Sequence, residues 1–123
     1  LNQSEISQAY VAADLLVLPS NSSETWGLVV NEAMASGVPC VISDQCGCSE
    51  DLTLPFFDHM RYTAGSVSGL ADAIESSINN PPSKQELLSH VEKYSFSVSS
   101  AAIQGLLTQP DHLKKYPVPK KIN

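Results

Sequence analysis

Two short, uninterrupted apolar runs are the clearest feature of the chain. Residues 15–18 read Leu-Leu-Val-Leu and are closed by Pro19, and residues 40–43 read Cys-Val-Ile-Ser. Runs of this length without polar alternation are typical of strands that are buried on both faces, as in a parallel sheet. We therefore predict buried strands at both places, and a short third strand over residues 61–63.

Helical spacing of apolar residues fills most of the remaining chain. It predicts helices over residues 4–14, 27–36, 66–79, 83–94 and 97–108, with a short helical turn after residue 48. Ser4, Ser49 and Ser83 are expected N-caps, and Glu86 completes a capping box with Ser83. Gly37 is expected to end the second helix in the left-handed conformation. The buried face of the 66–79 helix is expected to hold Leu70, Ala71, Ala73, Ile74 and Ile78.

Helices that alternate with short buried strands indicate an α/β fold, a Rossmann-like parallel sheet with flanking helices. Only two strands are convincing, whereas a doubly wound sheet has about five or six. We therefore expect a partial domain that lacks its front half and exposes a sheet edge, which permits dimerisation. The loops 20–26 and 44–48 should open at the same edge of the sheet, and residues 110–123 should form a Pro- and Lys-rich tail.

Charge is divided unevenly along the chain. Residues 1–60 contain eight acidic residues and no Lys or Arg, whereas residues 61–123 contain all seven basic residues and five acidic ones, for a net charge of −6. Nucleic-acid binding is not expected, because a duplex binder needs a basic surface. No apolar run approaches the roughly 20 residues that span a bilayer, so we expect a cytoplasmic protein, at most peripheral to a membrane as part of a longer protein.

The three cysteines are Cys40, Cys46 and Cys48. The odd count, without framework spacing, argues against a secreted disulfide fold, and Cys46 and Cys48 are too close in sequence for an easy bridge. We predict free thiols, with Cys40 as a small core residue. No metal site is expected, because no His lies near them in sequence.

The start of the second helix is a candidate anion site. The backbone N–H groups around Trp26, Gly27 and Leu28 precede the regular helical hydrogen bonds, and the helix dipole is positive there. Gly27 is expected to let a ligand approach the backbone closely. Because this half of the chain has no cationic side chain, a bound phosphate would rely on these amides or on residues outside the chain.

Two acids flank this helix start. Glu24 stands just before the helix, and Glu32 follows eight residues later. Glu32 is expected on a largely buried face, where a vicinal diol such as a ribose 2′,3′ pair would supply two donors. The residues alone leave simpler interpretations open: Glu24 as an acid that complements the helix dipole, Glu32 as part of a solvated face, and the loop from Ser20 as a plain turn.

Residues 24–39 read ETWGLVVNEAMASGVP. This segment closely resembles the donor-site signature of family 4 (group 1) glycosyltransferases, which is Glu, seven residues, Glu, Ala-Met-Ala, a small residue, Gly, any residue and Pro. Gly47 and Glu50 match the Gly and Glu that usually follow the next strand. The resemblance covers about residues 4–107, and the double-Glu pattern is far more specific than a lone glycine pattern.

The resemblance implies the second half of the C-terminal, donor-binding domain of a GT-B fold, with residues 1–109 as the partial domain. Glu24 resembles the acid that contacts the donor sugar near the anomeric centre, and is the candidate catalytic residue. Glu32 resembles the acid that holds the ribose hydroxyls. The amides of Gly27 and Leu28 resemble those that meet the diphosphate.

Ser20 and Trp26 complete the donor-binding residues that the resemblance implies. Trp26 stands where Phe is commoner, and Cys46 and Cys48 stand where small residues are usual. The basic pair that clamps the diphosphate in this family, and the N-terminal acceptor domain, would lie upstream of Leu1.

The implied full-length enzyme transfers a sugar from a nucleotide diphosphate sugar to a glycan, lipid or small-molecule acceptor. Transfer would retain the anomeric configuration and need no metal or other cofactor, and this chain alone is expected to be inactive. Two alternatives stay open at this point: a non-catalytic α/β nucleotide-binding or interaction module, and a GT-B relative such as an epimerase or phosphorylase. The intact Glu24 and Glu32 favour the transferase.

Overall fold

The computed structural model describes residues 5–108, which form helices and strands in a mixed order. The elements are α1 (Ile6–Val11), β1 (Leu16–Leu18), α2 (Leu28–Ala35), β2 (Cys40–Ser43), α3 (Ser49–Thr53), β3 (Arg61–Tyr62), α4 (Val67–Asn79), α5 (Lys84–Val91) and α6 (Phe96–Thr108). Short 3₁₀ turns occupy Asp58–Met60 and Glu92–Tyr94. The chain divides into two compact units, with the boundary between Glu92 and Lys93. The first unit contains the sheet.

The three strands form one parallel sheet in the order β1-β2-β3. Val17 is in register with Val41, and Ile42 is in register with Arg61. Each strand is joined to the next by a segment that contains helix, as a parallel connection requires. The fold is therefore the predicted α/β arrangement, consistent with a partial Rossmann-like domain.

Burial differs sharply between neighbouring strands. All four residues of β2 are buried, because the strand is paired on both sides. All three residues of β1 are only half-buried, so the prediction of a strand covered on both faces is wrong for residues 15–18. Within residues 5–108, β1 has a paired neighbour on one edge alone, so less of it is covered than of β2.

Glycines determine both ends of α2. Gly27 is the N-cap with a φ of 99°, and Gly37 follows the C-cap with a φ of 83°. The N–H groups of Gly37 and Val38 donate to the carbonyls of Met34 and Ala33, which is the Schellman pattern. The predicted left-handed C-terminus is confirmed.

The other predicted helix ends are confirmed in part. The side chain of Ser83 accepts from the Glu86 N–H while the Glu86 carboxylate accepts from the Ser83 N–H, so the capping box is confirmed. Ser49 does not cap α3; Cys48 is the N-cap residue, and the Ser49 hydroxyl instead donates to the Asp44 carbonyl. Helix α1 is shorter than predicted, and its proposed cap, Ser4, lies outside the described residues.

The core beside the sheet is formed by α4. Ala73 packs with Val41 and Tyr62, and Leu70 and Ile74 lie partly buried against them. Two other members of the predicted face are exposed, Ala71 and Ile78. The apolar stripe of α4 is therefore narrower than the sequence pattern suggests.

No helix within residues 5–108 is long and apolar enough to cross a membrane. The predicted tail, residues 110–123, lies outside the described residues.

Candidate functional site

The loops that follow β1 and β2 are hydrogen-bonded to each other. The Gly47 N–H donates to the Glu24 carbonyl at 3.3 Å, and the Cys48 N–H donates to the Trp26 carbonyl at 2.9 Å. Because both loops leave the carboxyl ends of adjacent parallel strands, they meet at one edge of the sheet, as predicted. This contact places Glu24, Trp26 and the start of α2 at that edge.

Gly47 is required by the closeness of this contact. A Cβ at this position would lie 1.8 Å from the Thr25 carbonyl oxygen, which is backbone and cannot turn aside like a flexible side chain. Only glycine therefore permits the two loops to approach as they do. The close approach of the two loops therefore explains why a glycine, and no larger residue, stands at position 47.

Gly27 is required by its backbone conformation and by the side chains packed around it. Its left-handed φ excludes most other residues, and a Cβ would lie 2.8 Å from the Cys46 sulfur and 3.0 Å from the Leu18 side chain. Gly27 is buried, so its missing side chain makes room for the packed loop and strand around it. That a ligand approaches the backbone at Gly27 stays a prediction.

The exposed part of the helix start lies at the next residues. Leu28 and Val29 begin α2, and both side chains are exposed. The first backbone bond of this turn runs from the Val30 N–H to the Gly27 carbonyl, so the Leu28 and Val29 N–H groups precede the bonding pattern of the helix. They lie at the positive end of the helix dipole.

Cys46 and Cys48 pack beneath this helix start. Both are free and buried, with their sulfur atoms 3.7 Å apart, and the Cys46 thiol donates to the Trp26 carbonyl at 3.2 Å. Burial, followed by the neighbouring Cys46, raises the pKa of the Cys48 thiol. Cys40 is also free and fully buried, as predicted, and burial raises its pKa to about 12.

Glu24 is half-buried, and its backbone is held on both sides. Its N–H donates to the Asn21 carbonyl, and its own carbonyl accepts from the Gly47 N–H. Among residues 5–108, no hydrogen bond or ion pair engages its carboxylate. The loop thus fixes the main chain of Glu24 at the edge of the sheet.

Glu32 is exposed, so the prediction of a largely buried face is wrong. The neighbouring side chains of Leu28 and Val29 are themselves exposed, and the apolar sequence around Glu32 does not bury it. One oxygen of its carboxylate accepts a 2.7 Å hydrogen bond from the hydroxyl of Tyr10 on α1. Burial, with the hydrogen bond and charge of Glu32, raises the pKa of Tyr10 to about 12.

The indole N–H of Trp26 donates to the side-chain oxygen of Asn31 at 2.8 Å. The sequence did not indicate Asn31 or Tyr10 as site residues, because their partners are recognised only once α1 and the loop before α2 are folded against α2. Ser20, the remaining predicted donor-binding residue, is half-buried at the start of the first loop. Glu50 is exposed and forms a 3.5 Å ion pair with Arg61.

The residues described contain no group of three or more His, Cys, Asp or Glu arranged to hold a metal ion. The candidate site consists of two carboxylates, the backbone amides of a helix start and an indole. Such a set suits a polar ligand that carries both an anionic group and hydroxyl groups.

Comparison with known proteins identifies a family for this chain. The family model of the group 1 glycosyl transferases matches residues 1–96. The sulfoquinovosyl transferase SQD2 of Arabidopsis thaliana is 58% identical over 41 residues, which are 33% of this chain and 8% of that protein. No solved structure matches the chain significantly. Because the family match covers most of the sequence, including the loops and both carboxylates, the chain belongs to the group 1 glycosyl transferases.

Proposed function

We propose that this chain binds the nucleotide diphosphate sugar of a retaining glycosyltransferase whose remaining parts lie outside it. The observation that carries the proposal is the hydrogen-bonded contact of the two loops, which brings Glu24 to the start of α2, while Glu32 lies one turn further along the helix. The family supplies the reaction class, and the site supplies groups that match a donor.

The diphosphate is proposed to bind at the N–H groups of Leu28 and Val29. Oriented amides at a helix N-terminus bind anions without a cationic side chain. Residues 1–60 contain no Lys or Arg, so the amides are the positive groups that this half of the chain offers. Cations elsewhere in the enzyme would complete the neutralisation of the leaving diphosphate.

Glu32 is proposed to accept hydrogen bonds from the ribose diol of the donor. Its exposure allows a ligand to reach it, and the Tyr10 hydroxyl fixes one carboxylate oxygen while the other can accept from the ligand. A carboxylate held in this way presents acceptors in a defined direction. The contribution would be typical of hydrogen bonds to charged groups, about 1.5–3 kcal/mol.

Glu24 is proposed to act at the donor sugar. In the transfer, the bond from the anomeric carbon to the diphosphate breaks and the diphosphate leaves with the electron pair. The acceptor oxygen bonds the same carbon and its hydroxyl proton is released, with retention of configuration. A carboxylate near the anomeric centre stabilises the positive charge that develops on the ring, so its interaction strengthens in the transition state.

Binding of the bare nucleoside diphosphate and transfer from the complete sugar donor distinguish the proposed roles of Glu32 and Glu24. Glu32→Gln should weaken binding of the bare nucleoside diphosphate to the 123-residue chain by about 1.5–3 kcal/mol, whereas Glu24→Gln should hardly change it, since this ligand has no sugar. In the enzyme that contains this chain, Glu24→Gln should lower kcat by about a hundredfold, which corresponds to about 3 kcal/mol.

Titration calorimetry or NMR measures the binding, and Glu75→Gln, an exposed acid on α4, is the matched control. If both substitutions leave binding and transfer within a few-fold of the parent, the two carboxylates belong to the solvated surface and the proposal fails. If binding depends on Glu32 but no sugar is transferred by the longer enzyme, the chain is a nucleotide-binding module.

A further inference from the structure

Trp26 is the single tryptophan of the chain, and two separate parts of the structure hold it. Its carbonyl accepts from the N–H of Cys48 and from the thiol of Cys46, both on the loop after β2. Its indole N–H donates to Asn31 in α2 at 2.8 Å. The loop after β2 therefore holds the main chain of Trp26, and α2 holds its ring.

The hydrogen bond to Asn31 ties the indole ring to α2. Trp26 precedes the N-cap Gly27, whereas Asn31 is the fourth residue of α2. An indole that reaches Asn31 must fold back along the first turn of the helix, the turn that also carries the Leu28 and Val29 amides. Both Trp26 and Asn31 are half-buried, and a partly buried indole N–H normally has a partner.

On the basis of the proposed function, we propose that Asn31 is a positioning residue of the donor site. It holds the Trp26 ring against the first turn of α2, so that the ring forms a fixed wall beside the amides that receive the diphosphate. Asn31 acts through the indole and does not itself contact the ligand.

Without Asn31, we expect the affinity for the nucleotide to fall because the Trp26 ring is no longer held in one position. The loop after β2 would still hold the Trp26 carbonyl, so the fold would persist, but the ring would populate several rotamers. Only the fraction of molecules with the ring in place would bind with full affinity, and the apparent dissociation constant would rise in proportion. A single lost hydrogen bond of this kind corresponds to about a two- to tenfold weakening.

NMR of the ¹⁵N-labelled 123-residue chain tests the inference directly. Because Trp26 is the single tryptophan, one indole N–H resonance reports this hydrogen bond. Asn31→Ala should move that resonance toward the position of a solvent-exposed indole, whereas Asn31→Asp, which keeps an acceptor, should largely restore it. Asn79→Ala, at an exposed asparagine of α4, is the control and should leave it in place.

The same samples are titrated with uridine, guanosine and adenosine diphosphate, and binding is followed at the Leu28 and Val29 amides. Asn31→Ala should weaken binding about two- to tenfold, and Trp26→Phe should weaken it similarly. The double variant should be no weaker than Trp26→Phe alone, because Asn31 acts through the indole.

The outcomes separate the two proposals. If the parent binds a nucleoside diphosphate and Asn31→Ala binds equally well, the positioning role is wrong while the donor site stands. Additive losses in the double variant, or an indole resonance that Asn31→Ala does not move, also contradict the positioning role. If the parent shows no shift at the helix amides with any nucleotide, the proposed function fails and the positioning role with it.

Discussion

The contact between the two loops makes Gly47→Ala the most informative single substitution. The added Cβ would lie 1.8 Å from the Thr25 carbonyl oxygen, a distance that the folded chain cannot accommodate. The atom it meets is main chain, so relief requires the loops to separate by roughly 1 Å or more. We expect the two loops to lose their hydrogen bonds to each other.

The magnitude follows from those bonds. The contact includes the 3.3 Å bond from Gly47 to Glu24 and the 2.9 Å bond from Cys48 to Trp26. At about 0.5–1.5 kcal/mol for each net hydrogen bond, their loss should lower the free energy of unfolding by about 1–3 kcal/mol. Because Glu24 and Trp26 belong to the proposed donor site, nucleotide binding should weaken in the same variant.

Urea unfolding followed by Trp26 fluorescence and by circular dichroism measures this loss. Gly105→Ala is the control, because it adds the same methyl group in open space on α6 and should cost no stability. If Gly47→Ala unfolds within about 0.5 kcal/mol of the parent, the loops do not approach each other as described.

Three further predictions concern other parts of the chain. Because the Tyr10 pKa is raised to about 12, the unfolded chain releases this proton first, and the free energy of unfolding should fall as pH rises from 10 to 12. Urea titrations across this range should show a smaller fall for Tyr10→Phe, and parallel losses in the two proteins would contradict the linkage. Ser83→Ala removes the capping box and should cost about 0.5–2 kcal/mol in the same assay, whereas Ser89→Ala on the exposed face of α5 should change little. The 123-residue chain alone should transfer no sugar from radiolabelled nucleotide sugars, and measurable turnover would show that the parts placed outside it are not needed.

Local signals in the sequence predicted much of the fold correctly. The bounds of β2 follow from an apolar run that ends at a polar loop, and Gly37 marks the end of α2 because a left-handed residue needs no Cβ. The Ser83 capping box is equally local, since its two partners lie three residues apart. The parallel pairing of β1 and β2 followed from the alternation of strand and helix.

Burial was less predictable, because it depends on what lies next to an element. The apolar run 15–18 has the composition of a covered strand, yet β1 is half-buried at the edge of the described sheet. Glu32 stands among apolar residues but lies with Leu28 on the exposed side of α2, whereas Val30, Ala33 and Met34 face the core. The hydrogen bond from Tyr10 joins residues 22 positions apart, and no local pattern indicates it.

The exposed face of α2 relates the position of Gly27 to the exposure of Glu32. The missing side chain of Gly27 points toward Cys46 and Leu18, so a ligand cannot approach the helix start from that side. Leu28 and Glu32 are four residues apart on a helix, so they share one face, and both are exposed. In the proposed binding mode, the donor lies along this face, with its diphosphate at the first turn and its ribose one turn further at Glu32. The exposure that contradicted the sequence prediction for Glu32 is what such a binding mode requires.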